Sequence, residues 1–269
     1  MNPVEVAGDN VDGDFDGVVN EMTIADISAL TVYQAAQPRP TTQIELNALR
    51  QTLNGMGAAG QQVAEQFMFP TLTQADINQI NAGANLFNQI GCNGCHRPSL
   101  LVAANNLIYR EPSRNPAFRE TTFPAGQNAA QRGVDPANQI TFNITTDQPD
   151  NVIMVGNRVV ARLGPFRSDG NGNAIVAIFG DLKRHNMGPQ LAENIDAAGT
   201  GASVWLTENL WGLGSTPQYL HDGRATTIRE AIREHGGEAQ NSRNAYFNLN
   251  ATNQRNVIRF LKNLVLFND

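Results

Sequence analysis

The chain has 269 residues, of which 41% are apolar, and a formal charge of -6, with a pI near 5.2. That length holds one large domain or a domain with an extension, and the apolar fraction is enough for a packed core. No apolar run approaches the ~20 residues that span a bilayer, and no basic cluster is available to neutralise nucleic-acid phosphates, so a membrane-spanning helix and a nucleic-acid partner are both excluded. Near the start, Asp12, Asp14 and Asp16 alternate ahead of Gly17, Asn20 and Glu21. Alternating carboxylates with a glycine at the sharp turn can wrap a hard cation such as calcium, as in an EF-hand or dockerin loop. The twelfth position, where a bidentate glutamate normally closes such a site, is Thr23, so Glu21 would have to help. The same residues also read as a solvated acidic turn before a helix capped by Thr23, with Ile24, Ile27, Leu30 and Val32 inward. A further helix is expected from Ile44 to Phe69, weakened in its middle by Gly55, Gly57 and Gly60 and ended by Pro70.

Thr73 can cap a helix that carries Ile77, Ile80, Ala84, Leu86, Phe87 and Ile90 at mostly helical spacing and ends at Gly91. Directly after it comes Cys92-Asn93-Gly94-Cys95-His96. C-x-x-C-H is the pattern by which a c-type haem is bonded through two thioethers. Two residues between the thiols let them reach the two vinyl groups of one porphyrin, and the adjoining histidine is placed to ligate the iron. These are the only two cysteines in the chain. A thioredoxin-like dithiol needs no histidine here, and a zinc site needs two more ligands at matched spacing. One covalent haem c is therefore expected. Met1-Asn2-Pro3-Val4-Glu5 has neither a basic n-region nor an apolar h-region. Haem is attached to this motif outside the cytoplasm in bacteria, so a removed leader and a periplasmic or otherwise extracytoplasmic location are expected.

A polar, Pro- and Asn-rich insertion runs from Pro98 to about Asp150. Val152 to Val155 and Arg158 to Leu163 then flank Gly156-Asn157, and Ala174 to Phe179 follows a turn at Asp169-Gly170-Asn171-Gly172, which reads as two short hairpins. They are expected to form a hood over one haem edge. At the far end, Val257, Ile258, Phe260, Leu261, Leu264 and Val265 repeat with helical spacing, with Arg255, Arg259 and Lys262 on the other face, and this last helix is expected to cross the one before the cysteines. The fold class is thus mainly α: a cytochrome c-like haem domain over residues 71-269, with short β-hairpins in an insertion at about 98-180, preceded by an N-terminal helical extension over 1-70.

Trp205, Trp211-Gly212-Leu213-Gly214, Leu220-His221-Asp222-Gly223-Arg224-Ala225, Ala231-Ile232 and His235-Gly236-Gly237-Glu238-Ala239 resemble the second half of the bacterial di-haem oxidoreductases, also called thiol oxidoreductases, relatives of the di-haem cytochrome c peroxidases. The likeness extends through His185-Asn186-Met187-Gly188, the haem motif and the acidic loop. Those families carry two C-x-x-C-H motifs, and the first is absent here. What remains resembles the electron-transfer half, so their activity does not simply carry over.

Four histidines are present. With His96 proximal, His185, His221 and His235 are left. In the peroxidase relatives, the distal residue of the C-terminal haem follows a His-Asp-Gly segment by fourteen residues, and counting from His221 gives His235. The resemblance thus implies bis-histidine ligation by His96 and His235, with Met187 as the alternative distal ligand. His221 reads as a hydrogen-bonding neighbour of the haem or as part of a structural turn. Arg224 is a candidate to pair a propionate through its guanidinium fork, and Trp211 to pack on the porphyrin. Two function classes follow. A six-coordinate haem passes single electrons to a redox partner, which the net negative charge allows to be cationic and which can itself be a haem protein. Alternatively, a dissociating distal ligand admits peroxide and makes the chain an oxidoreductase or a subunit of one.

Overall fold

A computed structural model describes residues 39-103, 107-110, 139-146, 152-196 and 199-266, together with Leu30 and Tyr33. The acidic stretch Asp12, Asp14, Asp16, Asn20 and Glu21 lies outside these residues. Leu30, read as inward, is 48% exposed.

The chain divides into two compact units, one made of Arg39–Leu100, Asn151–Leu163 and Val176–Asp269. This unit begins with strand β1 (Thr41–Thr42), followed by helices α1 (Gln43–Asn54), α2 (Ala58–Gln66) and α3 (Gln74–Gln89). The expected helix from Ile44 to Phe69 is therefore two helices. Gly57 has φ +77°, a left-handed conformation that glycine tolerates and a helix interior does not. Gly60 stays helical because α1 and α2 touch there: a Cβ on it would lie 2.0 Å from the Leu53 carbonyl oxygen.

The start of α3 is set by a capping box. The Asp76 amide donates to Thr73 Oγ1 at 3.2 Å, and the Thr73 amide donates to Asp76 Oδ2 at 2.9 Å, which satisfies two of the helix's free N–H groups. The second unit, Met1–Pro38, Leu101–Asp150 and Gly164–Ile175, contributes most of β2 (Leu100–Ala103), and all of β3 (Leu107–Arg110) and β4 (Gln139–Phe142). The polar insertion thus carries strands that its composition hid. β3 and β4 pair antiparallel, with Leu107 opposite Phe142.

Both expected hairpins are present. β5 (Val152–Val155) pairs with β6 (Arg158–Arg162) across Gly156, whose φ of +58° suits the tight turn. β7 (Arg167–Ser168) pairs with β8 (Asn173–Val176), and a three-stranded sheet runs β2-β8-β7. The β5–β6 hairpin is no hood. Ile153 and Leu163 are buried with Leu46, Leu49, Leu53, Ala64, Phe69 and Val265, against α1 and α2.

A third hairpin, unexpected from the sequence, joins β9 (Arg184–Asn186) to β10 (Val204–Leu206), with His185 opposite Trp205. Helices α4 (Ile228–Glu234), α5 (Gln240–Asn248) and α6 (Ala251–Lys262) follow, and β11 (Leu264–Val265) closes the chain against β1. Leu264 and Val265 are therefore strand rather than helix. Asn263 makes the change: its buried side chain accepts from the Ile44 amide at 3.1 Å, and its carbonyl accepts from the Gln43 amide at 2.9 Å.

As expected, α3 and α6 cross, and they do so at Gly83, where a Cβ would stand 1.9 Å from the Asn256 carbonyl oxygen. Ile80, Phe87, Val257, Phe260 and Leu261 are buried around this contact with Ile228 and Tyr246. Among the described residues, the architecture is helical with several small antiparallel sheets, and no helix is long and apolar enough to cross a membrane.

Candidate functional site

Gly91, at φ +83°, turns the chain out of α3 into a 3-10 turn over Cys92–Gly94. The His96 amide closes the turn onto the Cys92 carbonyl at 3.0 Å. Burial pushes the Cys92 thiol up to about 12 and also raises Cys95. A redox dithiol requires the opposite, a thiolate favoured by a lowered pKa.

The His96 ring is held through Nδ1, 3.0 Å from the Phe179 carbonyl oxygen. His235 caps the end of α4, and its Nδ1 lies 2.7 Å from the Ala231 carbonyl oxygen. A carbonyl only accepts, so Nδ1 carries the proton in both rings and each Nε2 keeps its lone pair. Burial lowers both pKa values, His96 to about 4, which keeps the rings neutral as ligation demands.

The two ring centroids are 6.4 Å apart. A metal–imidazole bond is about 2.0 Å and the ring centre lies about 1.1 Å beyond the nitrogen, so two imidazoles on one metal place their centres about 6.2 Å apart. The spacing fits a single shared iron.

Cys92, Cys95, His96 and His235 line one cavity of about 920 Å³, near the upper end of ligand pockets, which run from about 300 to about 1,000 Å³. Met187, Trp205, Trp211 and His221 line it too. Trp211 donates its indole N–H to the Ala177 carbonyl. The indole of Trp205 donates to the Leu191 carbonyl at 2.8 Å and stacks on His221, centroids 3.8 Å apart. His221 Nε2 in turn lies 3.3 Å from Glu193. Arg224 is placed differently. Its guanidinium is engaged by Asp222 and by the Gln190 carbonyl, the latter at 2.7 Å, and it is not part of the cavity wall.

The glycines around the histidines also have a reason. The Met187-Gly188 segment runs directly against Gly236-Gly237: a Cβ on Gly236 would lie 2.8 Å from the Met187 carbonyl oxygen, and one on Gly237 2.1 Å from that of Asn186. Glu238 ties the same segments together, accepting from the Asn186 amide at 2.9 Å and contacting His185 Nδ1 at 2.8 Å. Asp181, 3.0 Å from His185 Nε2, completes the flank, and the two carboxylates raise the His185 pKa, Glu238 foremost. The donor atoms of Cys95, Asp181 and His185 lie within 4.8 Å of one another; both His185 nitrogens are already engaged.

Asp181 and Phe179 were not singled out in the sequence. Phe179 has φ 49°, and no sequence signal announces an aromatic residue in a left-handed conformation.

The family described as "Di-haem oxidoreductase, putative peroxidase" matches residues 121–264, just over half of the chain. The chain belongs to the di-haem oxidoreductase family. No curated protein and no solved structure matches it. The stretch matched to the di-haem oxidoreductases contains His185, Met187, Trp205, Trp211, His221, Arg224 and His235, and begins after Cys92, Cys95 and His96. The family's name implies haem binding and redox chemistry.

Proposed function

We propose that this di-haem oxidoreductase relative is an extracytoplasmic mono-haem c-type cytochrome that transfers single electrons. The observation carrying the reading is the pair of carbonyl-anchored histidine rings with centroids 6.4 Å apart. Cys92 and Cys95 would hold the group through thioethers, and His96 Nε2 and His235 Nε2 would hold its iron. When bound, haem supplies a one-electron iron couple. The crossing of α3 and α6 beside the cysteines supports a cytochrome c-like arrangement.

The chain's own residues do the rest. Phe179 and Ala231 fix the two ring tautomers through their carbonyls, so that neither ligand has to reorganise during transfer. Phe87, Leu213 and Leu261 line the wall with apolar surface, and an apolar shell of this kind limits water at the site. With His96 and His235 both holding the iron, no position would be left for a substrate.

A second reading rests on His185. It lines the same cavity between Asp181 and Glu238, so it could handle a proton if His235 let go and peroxide entered. Optical and EPR spectra of the purified ferric and ferrous protein, with and without peroxide, separate the two. A low-spin signal indifferent to peroxide, turning high-spin in His235→Ala, is the result expected. High-spin iron in the unmutated protein would sink the carrier reading, and Met187→Leu rather than His235→Ala producing the change would move the ligand.

A further inference from the structure

His185 is engaged at both ring nitrogens. Nδ1 lies 2.8 Å from Glu238 Oε2 and Nε2 3.0 Å from Asp181 Oδ2, and since an ionised carboxylate only accepts, the ring donates through both. Each carboxylate is in turn fixed by a backbone amide: that of Asn186 donates to Glu238 Oε1 at 2.9 Å, and that of Lys183 to Asp181 Oδ1 at 3.0 Å. The side chains of His185 and Asp181 are 17% and 5% exposed, so water competes little for the bond between them, whereas that of Glu238 is 55% exposed.

The two ends of this bridge lead to the two cavity histidines. Asp181 comes two residues after Phe179, whose carbonyl holds the His96 ring, and the Gly180 amide between them donates to the Arg97 carbonyl at 3.1 Å. Glu238 comes three residues after His235, with only Gly236 and Gly237 between. On one side α4 holds His235 through Ala231. On the other stands the glycine pair, which has the widest backbone freedom and uses it at Gly237, φ +48°. Glu238 supplies the stop, because its carboxylate pins the far end of the pair to β9. The segment that continues β9 closes on the same place: a Cβ on Gly188 would lie 2.9 Å from the Gly237 amide nitrogen.

We propose that the Asp181–His185–Glu238 bridge is a latch, in which His185 is a positioning residue that keeps His235 on the iron and so keeps small ligands such as peroxide off it. The inference rests on the haem reading above. It makes His185 a fastening rather than a proton carrier, because neither ring nitrogen can give up its proton without breaking the bridge. Opening the bridge frees the glycine pair and lets His235 Nε2 withdraw with its lone pair; no electron is transferred.

Carbon monoxide reads the latch, because it binds ferrous haem only where a protein ligand has let go. On stopped-flow mixing with the ferrous holoprotein, the rate of uptake should level off as carbon monoxide is raised, and the plateau is the rate at which His235 leaves. His185→Ala and Glu238→Gln should each raise the plateau about tenfold, the low end for a lost charge-assisted hydrogen bond because Glu238 is half exposed. The double variant should be no faster than the faster single one, since both break the same bridge. In His235→Ala, where uptake is proportional to concentration, neither substitution should change the rate. Single variants with the original plateau, effects that multiply in the double variant, or an equal effect in His235→Ala would each overturn the latch. Uptake by the unmutated protein that stays proportional to concentration would show instead that His235 does not hold the iron. That result, or a purified protein without a haem absorption band, would overturn the haem reading itself, and this inference with it.

Discussion

Phe179 shows how one residue is used twice. Its carbonyl fixes His96, which requires the strained φ of 49°, and its ring packs edge-on against Phe87 and Phe260 at 6.4 Å and 6.0 Å. Left-handed backbone in a non-glycine residue costs roughly 1–2 kcal/mol, whereas deleting a buried aromatic ring costs roughly 3–5 kcal/mol and less for a half-buried one. Phe179→Gly relieves the first and suffers the second, so urea unfolding should show a net loss of about 2 kcal/mol. The haem spectrum should stay unchanged, because the carbonyl belongs to the backbone. A spectrum that changes with the ring would mean that the side chain, not the carbonyl, sets the ligand. A second residue-scale prediction concerns Asp76, whose carboxyl is held below its usual range, first by the Thr73 hydroxyl and amide and then by Arg259. A depressed carboxylate binds fewer protons in the folded state, so its contribution is present above the unfolded pKa near 3.8 and is lost as pH falls through the lower folded value. Stability followed from pH 6 to pH 2 should therefore fall less steeply below pH 4 in Asp76→Asn than in the unmutated chain; parallel curves would refute the assignment. Thr73→Ala, which removes the cap itself, should cost about 1 kcal/mol at neutral pH.

Among the helices, the α3–α6 crossing is the contact most sensitive to a single atom. Gly83→Ala places a Cβ 1.9 Å from the Asn256 carbonyl oxygen. Backbone cannot swing aside as a side chain can, so the helices must separate, at about 1–3 kcal/mol on the scale of overpacked cores. Gly55→Ala, at an exposed position where a Cβ would lie 3.4 Å from the Thr52 carbonyl oxygen, an ordinary contact, should change stability by less than about 0.5 kcal/mol. Equal effects at the two positions, measured by chemical denaturation, would refute the close approach. Both crossing helices were legible beforehand, because a capping threonine or a run of apolar residues at helical spacing acts locally. The two hairpins were legible for the same reason, since Gly156-Asn157 and Asp169 to Gly172 dictate their turns. The misreadings arose where tertiary contacts decide. Leu264 and Val265 continue the helical pattern of α6, yet the Asn263 contacts and pairing with Thr41–Thr42 draw them into a strand. The β9–β10 hairpin was missed because its strands are three residues each and seventeen residues separate them. Arg224 follows a suggestive turn, but Asp222, two residues earlier, captures its guanidinium. His235 was reached through resemblance, and the hydrogen bond from its ring to Ala231, four residues back, is the one local signal that spacing alone would have offered.

At the scale of the whole chain, the family name speaks of two haems and the function proposed above of one. Two cysteines make one C-x-x-C-H motif, and of the four histidines, His185 is taken by Asp181 and Glu238 while His221 is stacked on Trp205 and paired with Glu193. Only His96 and His235 combine a ring anchored at Nδ1, a lowered pKa and a common cavity. A pyridine haemochrome assay with iron analysis should therefore give one haem and one iron per chain; two would show that a ligand pair outside these histidines exists. The same argument sets the cost of losing the group. A haem bonded through thioethers stays with the unfolded chain, so its contribution to stability is the porphyrin surface buried and the iron–imidazole bonds formed only on folding. Cys92→Ala/Cys95→Ala should therefore melt well below the haem-loaded protein. Added free haem should recover part of the difference if His96 and His235 hold the iron as proposed. Recovery abolished by His235→Ala would tie that stability to the axial pair, whereas recovery that ignores His235 would show that the cavity wall alone retains the porphyrin.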